Sequence, residues 1–231
     1  MAATTQRKPK ATVYIAGPMF SVGDLSEQAA LEAALTKAGY ATYNPHKDGI
    51  EIATVMGHVN KGLALPQAEV LEVVTFVHRL VFALDVFQLV DRCDAVVFNF
   101  DGRVPDEGAV SESAMAFAAD KPVVTYKTTP VSELGGWDNP LVQGLSTQWA
   151  YVNSVAKVPA AVAKALTLQG KLKGPAATPG PRLTAVAELG AAVWANVKTL
   201  QTTANKSPKV IFSTVAKLQV QLKPLMDKAF L

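Results

Sequence analysis

The chain reads as an α/β protein: a doubly wound five-stranded parallel sheet followed by a C-terminal helical extension. Three observations predict this. Short β-rich runs alternate with longer helical patterns up to about residue 155, as they do in βαβ units. The run Ala95-Val-Val-Phe-Asn-Phe100 is almost continuously apolar, as befits a strand covered on both faces. Past residue 155 the alternation stops, and only helical spacing remains.

Taken in order, Thr12-Val-Tyr-Ile-Ala16 is the first strand, stopped by Gly17-Pro18. Asp24 or Ser26 can cap a helix whose apolar positions Leu25, Ala29, Leu31, Ala34, Leu35 and Ala38 end at Gly39. Tyr40 to Tyr43 is the second strand, and Pro45 to Pro66 a long loop of the kind that usually has a function. Pro66 to about Cys93 is a long helical pattern, with room for one break, before the third strand, Ala95 to Phe100. Ala109 to Ala119 is the next helix, Pro122 to Tyr126 the fourth strand and Trp149 to Val152 a short fifth. Pro159 opens an Ala-rich helix, and Gly170 to Pro181 has the composition of a linker. Leu183, Val186, Leu189, Val193, Val197 and Leu200, then Ile211, Val215, Leu218 and Leu222, follow helical spacing. Two such helices do not hold alone, so they must pack on the α/β domain or on another subunit. The expected division is a tail at 1–11, an α/β domain at 12–155 and a helical extension at 156–231.

Composition removes several classes of function. With 231 residues, 49% hydrophobic, the chain can build a full core. The net charge of +3 is not gathered into a basic patch interleaved with aromatics, which argues against nucleic acid. A single cysteine, Cys93, excludes a disulfide framework and fits a reducing compartment. The polar first ten residues carry no secretory pattern. The longest apolar stretch, Leu80 to Val90, is too short to cross a bilayer and is broken by Asp85 and Gln88. A soluble cytoplasmic protein is expected. The histidines at 46, 58 and 78 are too dispersed for a metal site, and neither Gly-x-Gly-x-x-Gly nor a Walker motif occurs. No cofactor or metal is expected.

The informative segment is Val104-Pro-Asp-Glu-Gly-Ala-Val-Ser-Glu112. It places Asp106 and Glu112 around the start of a helix just past a buried strand, where ligands collect in open α/β sheets. The helix N-terminus favours an ionised carboxylate, as a nucleophile must be. By itself the motif is weak, since Asp106 also suits a helix cap and Glu112 a solvated first turn. Its context strengthens it. Gly17-Pro18-Met19-Phe20 ends the first strand at the same rim, and a glycine there lets backbone approach a ligand. His46 lies just beyond the second strand on that rim. Asp85 sits among apolar residues, and its helical neighbours Val81, Phe82, Gln88 and Leu89 include no cation. A carboxylate in such surroundings is costly to a fold and more often serves a pocket. Asp94 reads as a turn or capping residue, and Cys93 as a buried, inert thiol.

In order and spacing, Tyr14-Ile-Ala-Gly-Pro-Met-Phe20, Cys93-Asp-Ala-Val-Val-Phe-Asn-Phe100 and Asp106-Glu-Gly-Ala-Val-Ser-Glu112 resemble the nucleoside 2-deoxyribosyltransferase family, over about Thr12 to Val152. The resemblance implies a flavodoxin-like sheet and a retaining double displacement that moves a 2-deoxyribosyl group between purine or pyrimidine bases. It implies Glu112 as nucleophile, Asp106 beside it and Asp85 at the base, with Asp91 as the fallback. It also implies that Tyr14, Gly17, Pro18, Met19 and Phe20 help form the pocket floor, and His46, on the same rim, and Gly108 are further substrate-binding candidates. Asn139, matching an asparagine lent by a neighbouring subunit to the sugar 5′-hydroxyl, implies a homo-oligomer. The partners are a 2′-deoxynucleoside and a free nucleobase, with no nucleic acid polymer and no membrane. Two departures stand out: Ala114 replaces a glycine two residues past the nucleophile, and the Asp85 to Asp94 spacing is one residue long. Alternatives are an N-glycoside hydrolase of nucleosides or deoxynucleotides, and a non-catalytic nucleotide sensor. Met19-Phe20-Ser21-Val22 lacks the arginine that a 5′-phosphate would call for, which favours unphosphorylated nucleosides.

Overall fold

The computed structural model describes residues 8–50, 66–101, 104–129, 138–172, 178–204 and 208–230. Most of the loop read between Pro45 and Pro66 lies outside them. The chain divides into two compact units, Met1–Asn44 with Arg92–Ala177, and Pro45–Asp91 with Thr178–Leu231.

The first unit holds strands β1 (Thr12–Ala16), β2 (Ala41–Tyr43), β3 (Ala95–Asn99), β4 (Val123–Tyr126) and β5 (Tyr151–Val152). They form one five-stranded sheet in the order β2-β1-β3-β4-β5, every pairing parallel. That order is flavodoxin-like and doubly wound, with its topological switch point between β1 and β3. Alternation along the strands sends Val13, Ile15, Val97 and Val124 into a core shared with Leu31, Leu35, Val158 and Val162. Those last four come from helix α1 (Val22–Lys37) and from a second helix on the same face (Val158–Gln169). Tyr14, Ala16, Val96 and Phe98 have the opposite parity and are also buried, which is why the strands read as unbroken apolar runs.

Helix α1 starts earlier than its apolar pattern suggests. Ser21, not Asp24 or Ser26, is the N-cap, and Asp24 is the third helical residue of a capping box. A Ser-x-x-Asp spacing satisfies two terminal N–H groups reciprocally, which a cap at Asp24 or Ser26 would leave open. In the turn that leads into β3, Asp94 takes the structural role read for it, its carboxylate accepting from the Thr12 N–H at 2.7 Å.

In the second unit, α2 (Pro45–Asp48) is a single turn and α3 (Gln67–Phe87) a long helix that continues as a π-helical turn, Gln88–Arg92. A π turn takes up one extra residue within a helix. The surplus residue noted between Asp85 and Asp94 therefore has a physical home. The unit is completed by two C-terminal helices, Pro181–Ala204 and Pro208–Ala229. Val186, Leu189, Val193, Val197, Leu200, Ile211, Val215, Leu218 and Leu222, which the helical spacing picks out, are buried, whereas Leu183 is half-buried, and Ala185, Ala187, Met226 and Ala229 are buried in addition. Among the described residues no helix is long and apolar enough to cross a membrane.

Gly190 marks a close crossing: a Cβ there would stand 2.0 Å from the Ala83 carbonyl oxygen and 2.5 Å from the Phe87 Cβ. Gly190→Ala gains roughly 1 kcal/mol of helix propensity. Overpacking against backbone costs about 1–3 kcal/mol and wins here because the helices themselves must part. The variant is expected to melt below the wild type in a thermal scan followed by circular dichroism.

Candidate active site

Helix α4 (Glu107–Ala118) follows β3 and carries Glu112. Its inward face is built from Ala109, Ser113 and Ala116, all small and buried, so the helix lies close to the sheet. That proximity lets the Tyr14 hydroxyl on β1 donate to Glu112 Oε1 at 2.5 Å. The Tyr14 ring is fixed in turn by the Tyr43 ring, centroid to centroid 5.3 Å. Glu112 is half-buried, so one oxygen is held from the sheet side while the group stays reachable. The pair spans the β1/β3 switch point, where ligands bind in this fold.

Around it, Gly17 closes β1. A Cβ on Gly17 would lie 2.7 Å from the Asn99 Cβ and 2.7 Å from Gln28 Nε2, so only glycine fits between the ends of β1 and β3. Pro18 and Met19 are half-buried and Phe20 is exposed. Asp106 is the N-cap of α4, its Oδ1 accepting from the Ala109 N–H at 2.8 Å. Gly108 is exposed in the first turn. Asn139 caps a short helix (Pro140–Gln143) with its side-chain oxygen, which accepts from the Leu141 N–H at 3.0 Å. The exposed amide therefore keeps its NH2 end as the available donor. Asp85, half-buried on α3, and His46, exposed on α2, belong to the second unit.

Four polar features escaped the reading of the sequence. Asn99 is fully buried and donates to Glu27 Oε2 at 2.7 Å, while the Tyr126 hydroxyl donates to Glu27 Oε1 at 3.0 Å. Asp101 clasps the end of β4, accepting from the N–H groups of Thr128 (2.8 Å) and Thr129 (2.9 Å) and from both hydroxyls. Lys127 and Asp138 form a buried ion pair at 2.5 Å, which ties the residue before Asn139 to the sheet. The Lys127 ammonium also stands 4.6 Å from the Phe100 ring centroid. The one signal available was a polar residue, Asn99, inside an apolar strand. Burial pushes the Cys93 thiol up to about 12, as expected of an inert cysteine.

The first unit is a doubly wound α/β sheet with a tyrosine-held carboxylate at its switch point, the place where small ligands bind in this class of fold. Residues 13–145 match the family model described as nucleoside 2-deoxyribosyltransferase, more than half of the chain. The chain belongs to the nucleoside 2-deoxyribosyltransferase family. Among solved structures it is similar to a conserved protein from Enterococcus faecalis V583, at 20% identity over 67% of this chain and 98% of that one, TM-score 0.44. It is also similar to a 2-deoxyribosyltransferase from the psychrotolerant bacterium Bacillus psychrosaccharolyticus, at 17% identity over 64% of this chain and 90% of that one, TM-score 0.40. No curated protein matches the chain.

Burial raises the Tyr126 hydroxyl from 10.0 to about 12, with the Glu27 hydrogen bond and the charges of Glu27 and Asp101 adding to it. The unfolded chain thus loses this proton first, so the stability it contributes is complete below pH 10.0 and is lost as pH rises toward about 12. The melting temperature is expected to fall more steeply over that window for the wild type than for Tyr126→Phe. Equal slopes would show that Tyr126 is not so linked.

Proposed function

We propose that the protein transfers a 2-deoxyribosyl group between purine or pyrimidine bases, through a covalent ester on Glu112. The observation that carries this is the Tyr14–Glu112 hydrogen bond at the switch point. Breaking an N-glycosidic bond develops oxocarbenium character at C1′, and a carboxylate beside that carbon stabilises the charge and then bonds to it. One Glu112 oxygen attacks C1′ while the bond to the base nitrogen breaks and its electron pair leaves with the base. A proton reaches the departing nitrogen from an acid, either Asp106 or Asp85. In the second half an acceptor base nitrogen attacks C1′, the ester C–O bond breaks, and the acceptor's proton returns to the acid. Two inversions give net retention.

Tyr14 acts on both halves. Its O–H fixes the carboxylate rotamer before attack and steadies the returning charge when the ester breaks. Gly17 to Phe20, Gly108 and His46 are assigned to the pocket, and Asn139, with its NH2 outward, to the sugar 5′-hydroxyl of a neighbouring copy. Support for that last role is the cap geometry, which leaves a donor to offer. Residues 12–155 are assigned the catalytic domain and 156–231 the helical extension.

Incubation with deoxyinosine and adenine is expected to yield deoxyadenosine on chromatography. Free deoxyribose with no new nucleoside would mark a hydrolase instead, and intact substrate would count against both. Glu112→Ala is expected to abolish turnover and any sugar adduct in the intact mass. Tyr14→Phe is expected to lower kcat by about ten- to a hundredfold, the range for losing one charge-assisted hydrogen bond. If Asn139 is shared, specific activity should fall on dilution below the oligomer's dissociation constant; a fully active monomer would refute the sharing.

A further inference from the structure

Three long helices of the second unit leave a cavity of about 430 Å³ between Phe82 of α3, the first turn of the helix Pro181–Ala204 and the end of the helix Pro208–Ala229. Its wall is almost wholly carbon, with Arg182 the one charged side chain among the described residues that line it. The Phe82 and Phe230 rings, 6.3 Å apart between centroids, form one side. Phe82 is exposed and Leu183 and Phe230 are half-buried, so the space opens to solvent. Water inside it finds few hydrogen-bonding partners, and an apolar body that displaces that water gains free energy.

The mouth of the cavity is cationic. Arg182 is exposed, and its guanidinium has no hydrogen-bond or ion-pair partner among the described residues. A second guanidinium, that of Arg79, stands 5.3 Å from the centroid of the same Phe230 ring. The acidic residues of the two C-terminal helices, Glu188 and Asp227, are held by Lys228 at 2.5 Å and Lys223 at 2.8 Å. Asp85, one turn beyond Phe82 on α3, is not part of the wall. The positive end of one C-terminal helix and the negative end of the other meet here and offset, which leaves the two arginines to set the sign.

We propose that this cavity binds a medium-chain fatty carboxylate, its hydrocarbon chain against the Phe82 and Phe230 rings and its carboxylate at the mouth on Arg182. A guanidinium presents paired donors that match a carboxylate. A base or sugar is excluded, because its donors and acceptors would go unmatched against a carbon wall. Ligand pockets run from about 300 to 1,000 Å³, and one near the lower bound suits a short, narrow body. Apart from Phe82, the lining residues lie beyond the 13–145 segment that matches the family model, so the proposal is independent of the reading of the active site.

The test titrates the full-length protein in a calorimeter with decanoate below its micelle concentration, then with octanoate and with decanol. One decanoate per chain is expected, with affinity rising about fourfold per methylene from octanoate. Decanoate should bind roughly tenfold tighter than decanol. Arg182→Glu should abolish that preference while decanol still binds, and Leu183→Trp, which fills the cavity, should weaken both ligands. Circular dichroism checks that each variant is folded; should Leu183→Trp fail to fold, the comparison at the exposed Arg182 decides alone. No binding of decanoate, equal affinity for decanoate and decanol, or an unchanged preference in Arg182→Glu would overturn the proposal. So would a dimer in sedimentation that Phe82→Ser splits, since a second copy would then occupy the cavity.

Discussion

The contact between Tyr14 and Glu112 joins residues 98 positions apart and sums up what the α/β unit must achieve. Tyr14 can reach only if β1 and β3 keep their register, Tyr14 opposite Val96, and only if α4 lies close enough to the sheet. The closeness comes from Ala109, Ser113 and Ala116, since a larger side chain at any of them would lift the helix. Even the rest of the rim follows: Gly17 exists to let the ends of β1 and β3 meet, and Asn99 beside it anchors Glu27. A carboxylate with one oxygen held by a phenol has its orientation set by the fold itself.

Much of this was legible in the sequence because burial on both sheet faces leaves an unmistakable trace. Ala95 to Asn99 is apolar enough to be a strand under any reading, and the loop after it, with Asp106, Gly108 and Glu112, points to the rim. The helix entrance at Ser21 was misread because apolar periodicity begins after the cap, and a capping box is a feature of hydrogen bonds, not of hydrophobic pattern. Glu27, Asn99 and Tyr126 were missed for a different reason. They lie on three elements, and no local spacing brings them together.

The π turn at Gln88–Arg92 shows how a spacing argument can be sound and incomplete at once. One residue more than expected before Asp94 would, on a uniform α-helix, rotate everything upstream by about a hundred degrees. A wider turn takes up that residue locally, so a count along the sequence does not by itself say which way Asp85 faces. The buried pair Lys127–Asp138 carries a similar lesson, because its two ends flank a segment whose sequence offers no pattern.

The helical unit is assembled from two stretches far apart in the chain, Pro45–Asp91 and Thr178–Leu231. During synthesis, α3 leaves the ribosome with Val73, Phe76, Val77, Leu80 and Leu84 exposed, long before the C-terminal helices that belong to the same unit exist. Strands β3 to β5 must emerge in the interval, so the nascent chain carries a greasy, unmatched helix while it builds its sheet. Truncated products that stop short of residue 181 would keep that helix uncovered, which makes them natural clients for chaperones and proteases.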